Sequence, residues 1–345
     1  MGSAGHKWVG ARRLGIKAVT GLLAIGLIAG TGTSEAAKAD PAATVKADDA
    51  KAATFTALRV MPLGDSITLG TGGPNRSSYR MDLAQRLLKG GLQINYVGSQ
   101  ASGTGTDIQH EGHGGWSIDE LSEELDGWLS QSRPDVVLLH AGTNNLKQGD
   151  GPYATAGKLS ALIDQIRAAR PEARIFVAKI ISARAPRELA NGRTYNRLIP
   201  KLVAEKNDPL ITLVDQSSVG GIDLHDLRHP NEFGYSKMAW NWYRAMSRVY
   251  GTSGDTGANP YRARTAYRCL GFKAVVDGET HHRTECRTWK LRTATVEIDG
   301  VKRRVRAWLT LRSVQKSYRV RVDGKLVKRT RTIEKWTGPG NLLNV

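Results

Sequence analysis

Short, nearly unbroken apolar runs recur through the middle of the chain: "ALRVMPLG" at 57–64, "INYVGS" at 94–99, "DVVLLHAG" at 135–142, "RIFVAKI" at 174–180 and "ITLVD" at 211–215. Runs this short and this continuous predict strands covered on both faces. Between them lie "YRMDLAQRLLKGG", "SIDELSEELDGWLSQ", "GKLSALIDQIRAAR" and "TYNRLIPKLVAEK", whose apolar residues fall three or four apart, the spacing of one helix face. Gly90-Gly91 and Pro171 stand where two of these helices should stop. Alternating strands and helices predict a doubly wound, three-layer α/β sandwich with a five-stranded parallel sheet. Such folds hold ligands beyond the carboxyl ends of the strands, where Ser66, Asn144 and Asp215 fall.

Past about Gly251 the pattern becomes alternation. Asp-Gly recurs at 277–278, 299–300 and 323–324, as in "VEIDGVKRRV" and "YRVRVDGKLVKRT", and predicts two-residue hairpins in a small antiparallel β-domain. In "YRVRV" arginines and valines alternate, so one basic face is expected. Charge divides the same way. Residues 255–345 hold 21 Lys/Arg against 8 Asp/Glu, a net of +13 out of the chain's formal +18. This domain is expected to touch an anionic polymer or cell wall, with a merely solvated appendage or an anionic membrane contact as the other readings. No nucleic-acid-binding motif is present.

The amino-terminal end reads as an export signal over residues 1–36. Lys7, Arg12, Arg13 and Lys17 precede the apolar "AVTGLLAIGLIAG", and small residues around "SEAA" offer cleavage near Ala36. The run falls short of the ~20 residues a membrane span needs. Residues 37–56 are an Ala-rich flexible lead-in, so the domains are expected at 57–252 and 253–345, outside the cell. In an oxidising compartment Cys269 and Cys286 most simply form a disulfide, the alternative being a zinc site with His281 and His282.

Candidate chemistry lies at the strand ends. "LGDSITLG" presents Ser66 where a strand stops, as either a helix N-cap or a nucleophile. "EGHGGWSIDEL" sets Gly114 and Gly115 before a helix, where backbone N–H groups can approach a ligand. "LLHAGTNNL" ends a buried strand with Asn144. "HDLRHPNEFGYSKMAW" places Asp226 and His229 three residues apart, an imidazole with a carboxylate to orient it. Asp223 is a second candidate orienter, six residues from His229. His113 and Trp116 are possible substrate contacts, Trp116 equally a helix anchor; Tyr79 and Asn196 could also face a pocket, and His140 suits a hydrogen-bonded core role.

These four blocks in this order resemble the SGNH (GDSL-type) hydrolase superfamily over residues 57–250, and most of all its secreted acetylxylan-esterase-like branch. The resemblance implies a flavodoxin-like sandwich and a secreted serine esterase acting on short-chain esters of carbohydrate, acetyl above all, with a lipase or phospholipase as the alternative. Ser66 then matches the nucleophile, His229 the base and Asp226 its orienter. The Ser66 N–H, Gly115 (or Gly114) and the Asn144 side chain match the oxyanion hole. No metal or cofactor is required. One position departs from the pattern: Asn145 stands where the family usually has Asp, which should alter a supporting hydrogen bond. A reading of another class is a non-catalytic polyanion-binding protein on a hydrolase scaffold.

Overall fold

The computed structural model describes residues 57–252, 257–276, 278–298 and 301–337; the expected export signal and lead-in lie outside them. All five predicted strands are present: β1 (Leu58–Gly64), β2 (Ile94–Tyr96), β5 (Val136–His140), β6 (Arg174–Lys179) and β7 (Ile211–Asp215). Two short strands, β3 (Gln100–Ala101) and β4 (Gln109–Gly112), extend the sheet to seven, in the order β3-β4-β1-β5-β6-β7 with β2 also paired to β1. Every pairing is parallel except β3 with β4. β2 takes the first half of β1's free edge (Leu58 to Val60) and β4 the last two residues, Leu63 and Gly64.

Helices cover both faces. Met61, Leu63, Val137, Leu139, Ile175 and Val177 point to one side, against α3 (Ile118–Ser132), α5 (Pro152–Ala169) and α6 (Pro186–Glu205). Their neighbours Val60, Val136, Leu138, Phe176 and Ala178 point to the other, against α2 (Arg80–Lys89) and α7 (Glu232–Tyr250). Since successive strand residues alternate faces, both sets must be apolar, which is why these strands read as continuous runs. Two short helices, α1 (Ser66–Leu69) and α4 (Thr143–Gln148), start directly at the ends of β1 and β5.

A separate antiparallel sheet follows: β8 (Thr265–Val276), β9 (Glu279–Ile298), β10 (Val301–Val322) and β11 (Lys325–Thr337), in the order β11-β10-β9-β8. The pairs Val276–Glu279, Ile298–Val301 and Val322–Lys325 make each connection two residues long. At the last, Asp323 and Gly324 both have positive φ (48° and 76°), the type I′ requirement that selects Asp-Gly. Cys269 and Cys286 are cross-strand partners joined in a disulfide. The expectation of one basic face is corrected: Lys316 pairs with Arg331 and Arg319 with Lys328, and because 316 and 319 differ by an odd step, the two pairs lie on opposite faces.

Candidate active site

Loops from β1, β4, β5 and β7 meet at the carboxyl edge of the parallel sheet. β1 ends in Gly64, where a Cβ would lie 2.3 Å from the His140 carbonyl of β5, so only glycine lets the strand turn there. Asp65 then caps α1, its Oδ1 accepting the Ile67 N–H at 2.9 Å. That fills the cap position Ser66 could have taken. Ser66 Oγ lies instead 2.9 Å from His229 Nε2.

His229 sits in the loop that enters α7. Asp226 Oδ1 accepts the backbone N–H groups of Arg228 and His229, each at 2.8 Å, and Oδ2 accepts His229 Nδ1–H at 2.7 Å. Burial pushes the Asp226 carboxyl up, but the His229 ring and these two N–H donors outweigh it and hold the group well below the usual carboxylate range. With Nδ1–H committed to Asp226, Nε2 is the acceptor that faces Ser66. Ser66, His229 and Asp226 therefore form one continuous hydrogen-bonded line.

Asp223 has a different set of partners. It is fully buried, with Oδ2 taking Lys237 Nζ at 2.7 Å and Oδ1 facing Arg268 Nη2 at 3.2 Å. Arg268 reaches in from β8, with Phe233 and Trp308 ring centroids each 4.3 Å from its guanidinium carbon. Burial lowers its pKa to about 10, against the opposing pull of Asp223. Three residues on, Gly271 N–H donates to the His225 carbonyl at 2.6 Å, and His225 N–H donates to the His229 carbonyl at 2.7 Å. The second sheet is thus stitched to the loop that carries Asp226 and His229. Nothing in the sequence pattern signals this, because Arg268 is one arginine among many.

Gly114 and Gly115 are the central residues of a turn closed by Trp116 N–H to the His113 carbonyl (3.3 Å), and Gly115 has φ +90°, the positive value a type II turn needs at its third residue. The turn is anchored by His113 N–H to the Gly64 carbonyl at 2.9 Å, so it sits against the end of β1. Both glycines are exposed. Asn144 is buried and spends one of its two amide N–H donors on the Trp116 carbonyl at 2.9 Å. His113 stacks between Trp116 and Trp128, 4.5 Å from each ring, and bonds buried Glu111 at 2.9 Å; both candidate contacts are thus half-buried parts of the wall.

Asn145 explains its own departure. Its Oδ1 accepts Ile118 N–H at 2.8 Å, while Nδ2 donates to Asp119 at 3.1 Å and Asp150 at 2.9 Å. A carboxylate there would face two others. Tyr79 is fully buried against Trp242, and Asn196 brackets Ile180 through its backbone N–H and carbonyl, so neither lines the site. His140 is buried and accepts the Ile181 N–H at 3.3 Å.

Burial sets the charge of three groups around this edge. It lowers His140 to about 4 and, with help from Arg80 and His113, His110 to about 3; it raises Asp65 to about 6 against the Ile67 N–H, His229 and Thr143. Between those values and 6.5 the unfolded chain binds two more protons at the histidines than the native state, so stability is lost as pH falls through that window. Asp65 works the other way between 3.8 and about 6, where the native state holds the extra proton. Two groups oppose one, so the urea midpoint should fall between pH 7 and pH 5. A midpoint that is flat or rises on acidification contradicts neutral, buried His110 and His140.

The model of the GDSL-like Lipase/Acylhydrolase family matches residues 63–237. A multidomain esterase of Ruminococcus flavefaciens is 29% identical over 218 residues, covering 54% of this chain and 28% of that protein, so the chain spans little more than a quarter of that relative's length. The solved structure of a family 3 carbohydrate esterase of Clostridium thermocellum is 35% identical with a TM-score of 0.52, the match covering 57% of this chain and 100% of that one. A carbohydrate esterase family 3 structure from Talaromyces cellulolyticus is 25% identical, TM-score 0.51, covering 57% and 100%. The chain belongs to the GDSL-like lipase/acylhydrolase family. The matched segment, residues 63–237, is a domain of the GDSL esterase type.

Proposed function

We propose that the chain is an exported esterase that removes short acyl groups, acetyl above all, from carbohydrate, with Ser66 as nucleophile, His229 as base and Asp226 as its orienter. The observation that carries this is the unbroken line Ser66 Oγ–His229 Nε2 (2.9 Å) and His229 Nδ1–Asp226 Oδ2 (2.7 Å). In this reading Ser66 Oγ attacks the ester carbonyl carbon as its proton passes to Nε2. The carbonyl oxygen becomes negative and is held by the Ser66 and Gly115 N–H groups and the Asn144 amide, each donor contributing roughly 3–4 kcal/mol in comparable sites. His229 then protonates the departing sugar oxygen, which leaves an acyl group on Ser66. A water deprotonated by His229 removes it, and the serine is restored. Asp226, held ionised, stabilises the imidazolium in both halves.

The carbohydrate assignment draws on the two relatives of known structure, both carbohydrate esterases. Export draws on the basic–apolar–small pattern of residues 1–36 and on the disulfide. A chain-length series tests the acyl group. The kcat/KM for p-nitrophenyl esters should fall at least about tenfold from acetate to octanoate, roughly 1.4 kcal/mol of transition-state discrimination, and acetate should be released from acetylated xylo-oligosaccharide. A rate that climbs with chain length assigns the site to lipid instead.

A further inference from the structure

We infer that the β10–β11 ribbon is a binding arm for an acidic polysaccharide, a chain of sugars carrying carboxylate groups. The inference rests on the carbohydrate reading for its choice of polymer; the site itself comes from the ribbon. β10 pairs with β9 as far as Leu309 and with β11 from Thr310 onward, so Thr310–Val322 and Lys325–Thr337 form a two-stranded ribbon beyond the end of the β9–β10 pairing. At ~3.4 Å per residue it is about 40 Å long. No described residue from Leu311 to Glu334 is buried, so both of its faces meet solvent.

Its charge is arranged against its own stability. Residues 310–337 hold nine Lys/Arg and two acids, Asp323 and Glu334. Lys316 lies directly opposite Arg331, and Arg319 directly opposite Lys328. Like charges facing each other across a pair are destabilising, and a ribbon of two strands is marginal in water to begin with. Placing such a pair on each face is a cost that a linear polyanion, laid along the ribbon, would offset through many screened contacts. Two features select the class. The ribbon's sequence has two aromatics, Tyr318 and Trp336, whose register positions lie seven residues apart along it, too sparse for the row of stacking platforms that single-stranded nucleic acids use. Val314, Tyr318, Val320, Val322, Val327 and Ile333 share one face, but Lys316, Arg329 and Arg331 stand among them on that face, so the ribbon has no continuous apolar side to lay into a membrane.

The test measures binding of the full chain to polygalacturonate, uncharged xylan, duplex DNA and phosphatidylglycerol vesicles, alongside turnover of p-nitrophenyl acetate. Polygalacturonate should bind most tightly, with affinity falling roughly tenfold or more between 50 and 200 mM NaCl. The paired variants K316Q/R331Q and R319Q/K328Q should each weaken it, and all four changes together should weaken it at least ~30-fold, with turnover unchanged. These positions are exposed and the changes relieve repulsion, so a thermal melt at or above that of the parent should accompany them. Absence of polygalacturonate binding, tighter binding to DNA or vesicles, or full binding by the fourfold variant overturns the inference. Loss of ester turnover in the parent chain would instead contradict the esterase chemistry and leave the binding result to be read by itself.

Discussion

Asp226→Asn is expected to lower kcat for a small ester by about four orders of magnitude, with the urea midpoint little changed. The amide keeps the size of the carboxylate and an acceptor for the Arg228 and His229 N–H groups. It cannot stabilise an imidazolium, and it favours the wrong ring tautomer for accepting the Ser66 proton. Asp223→Asn should do the reverse. Lys237 and Arg268 would be left buried beside a neutral group, a loss on the order of 3–5 kcal/mol, while kcat of the folded fraction stays within a few-fold of the parent. The two variants measured together, by kcat and by urea midpoint, assign the roles. A collapse of kcat in Asp223→Asn with Asp226→Asn near normal would transfer the orienting role to Asp223.

Ser66→Ala carries the largest expected loss, about six orders of magnitude in kcat by comparison with serine hydrolase nucleophiles. The fold should be indifferent to it. Ser66 is the first residue of α1, the cap is supplied by Asp65, and alanine is favoured in a helix. Activity within tenfold of the parent, in protein with an unchanged melting profile, contradicts the assignment.

The parts legible in the sequence were those whose signal is local. β1, β5 and β6 are apolar on both faces and announce themselves; β4, "QHEG", does not, since His110 and Glu111 are buried through hydrogen bonds to Gly112, Ser102, Ser99 and His113 rather than by being apolar. The candidate site was legible because each part lies at a strand end beside a glycine or proline: Ser66 after Gly64, Asn144 after Gly142, His229 before Pro230. Spacing favours Asp226 over Asp223, three residues from His229 against six, but does not show the separate structural role of Asp223. That role depends on Arg268, which arrives from another sheet, 45 residues beyond Asp223. The faces of the basic ribbon were misjudged for another reason. Alternation within "YRVRV" covers only five residues; Lys316, an even step before Val320, already stands on the valine side, and the register with β11 sets Arg331 opposite it.

The central claim is that Ser66 is the group that takes the acyl chain, and a fluorophosphonate reports on it directly, because it bonds covalently to a serine only where a base activates the hydroxyl. Intact-mass and peptide mass spectrometry of the folded full chain should find one adduct per molecule, on the peptide that contains Ser66. The adduct should be absent from Ser66→Ala and formed far more slowly in His229→Ala. Folded protein that stays unlabelled, or carries the adduct on another serine, contradicts the account.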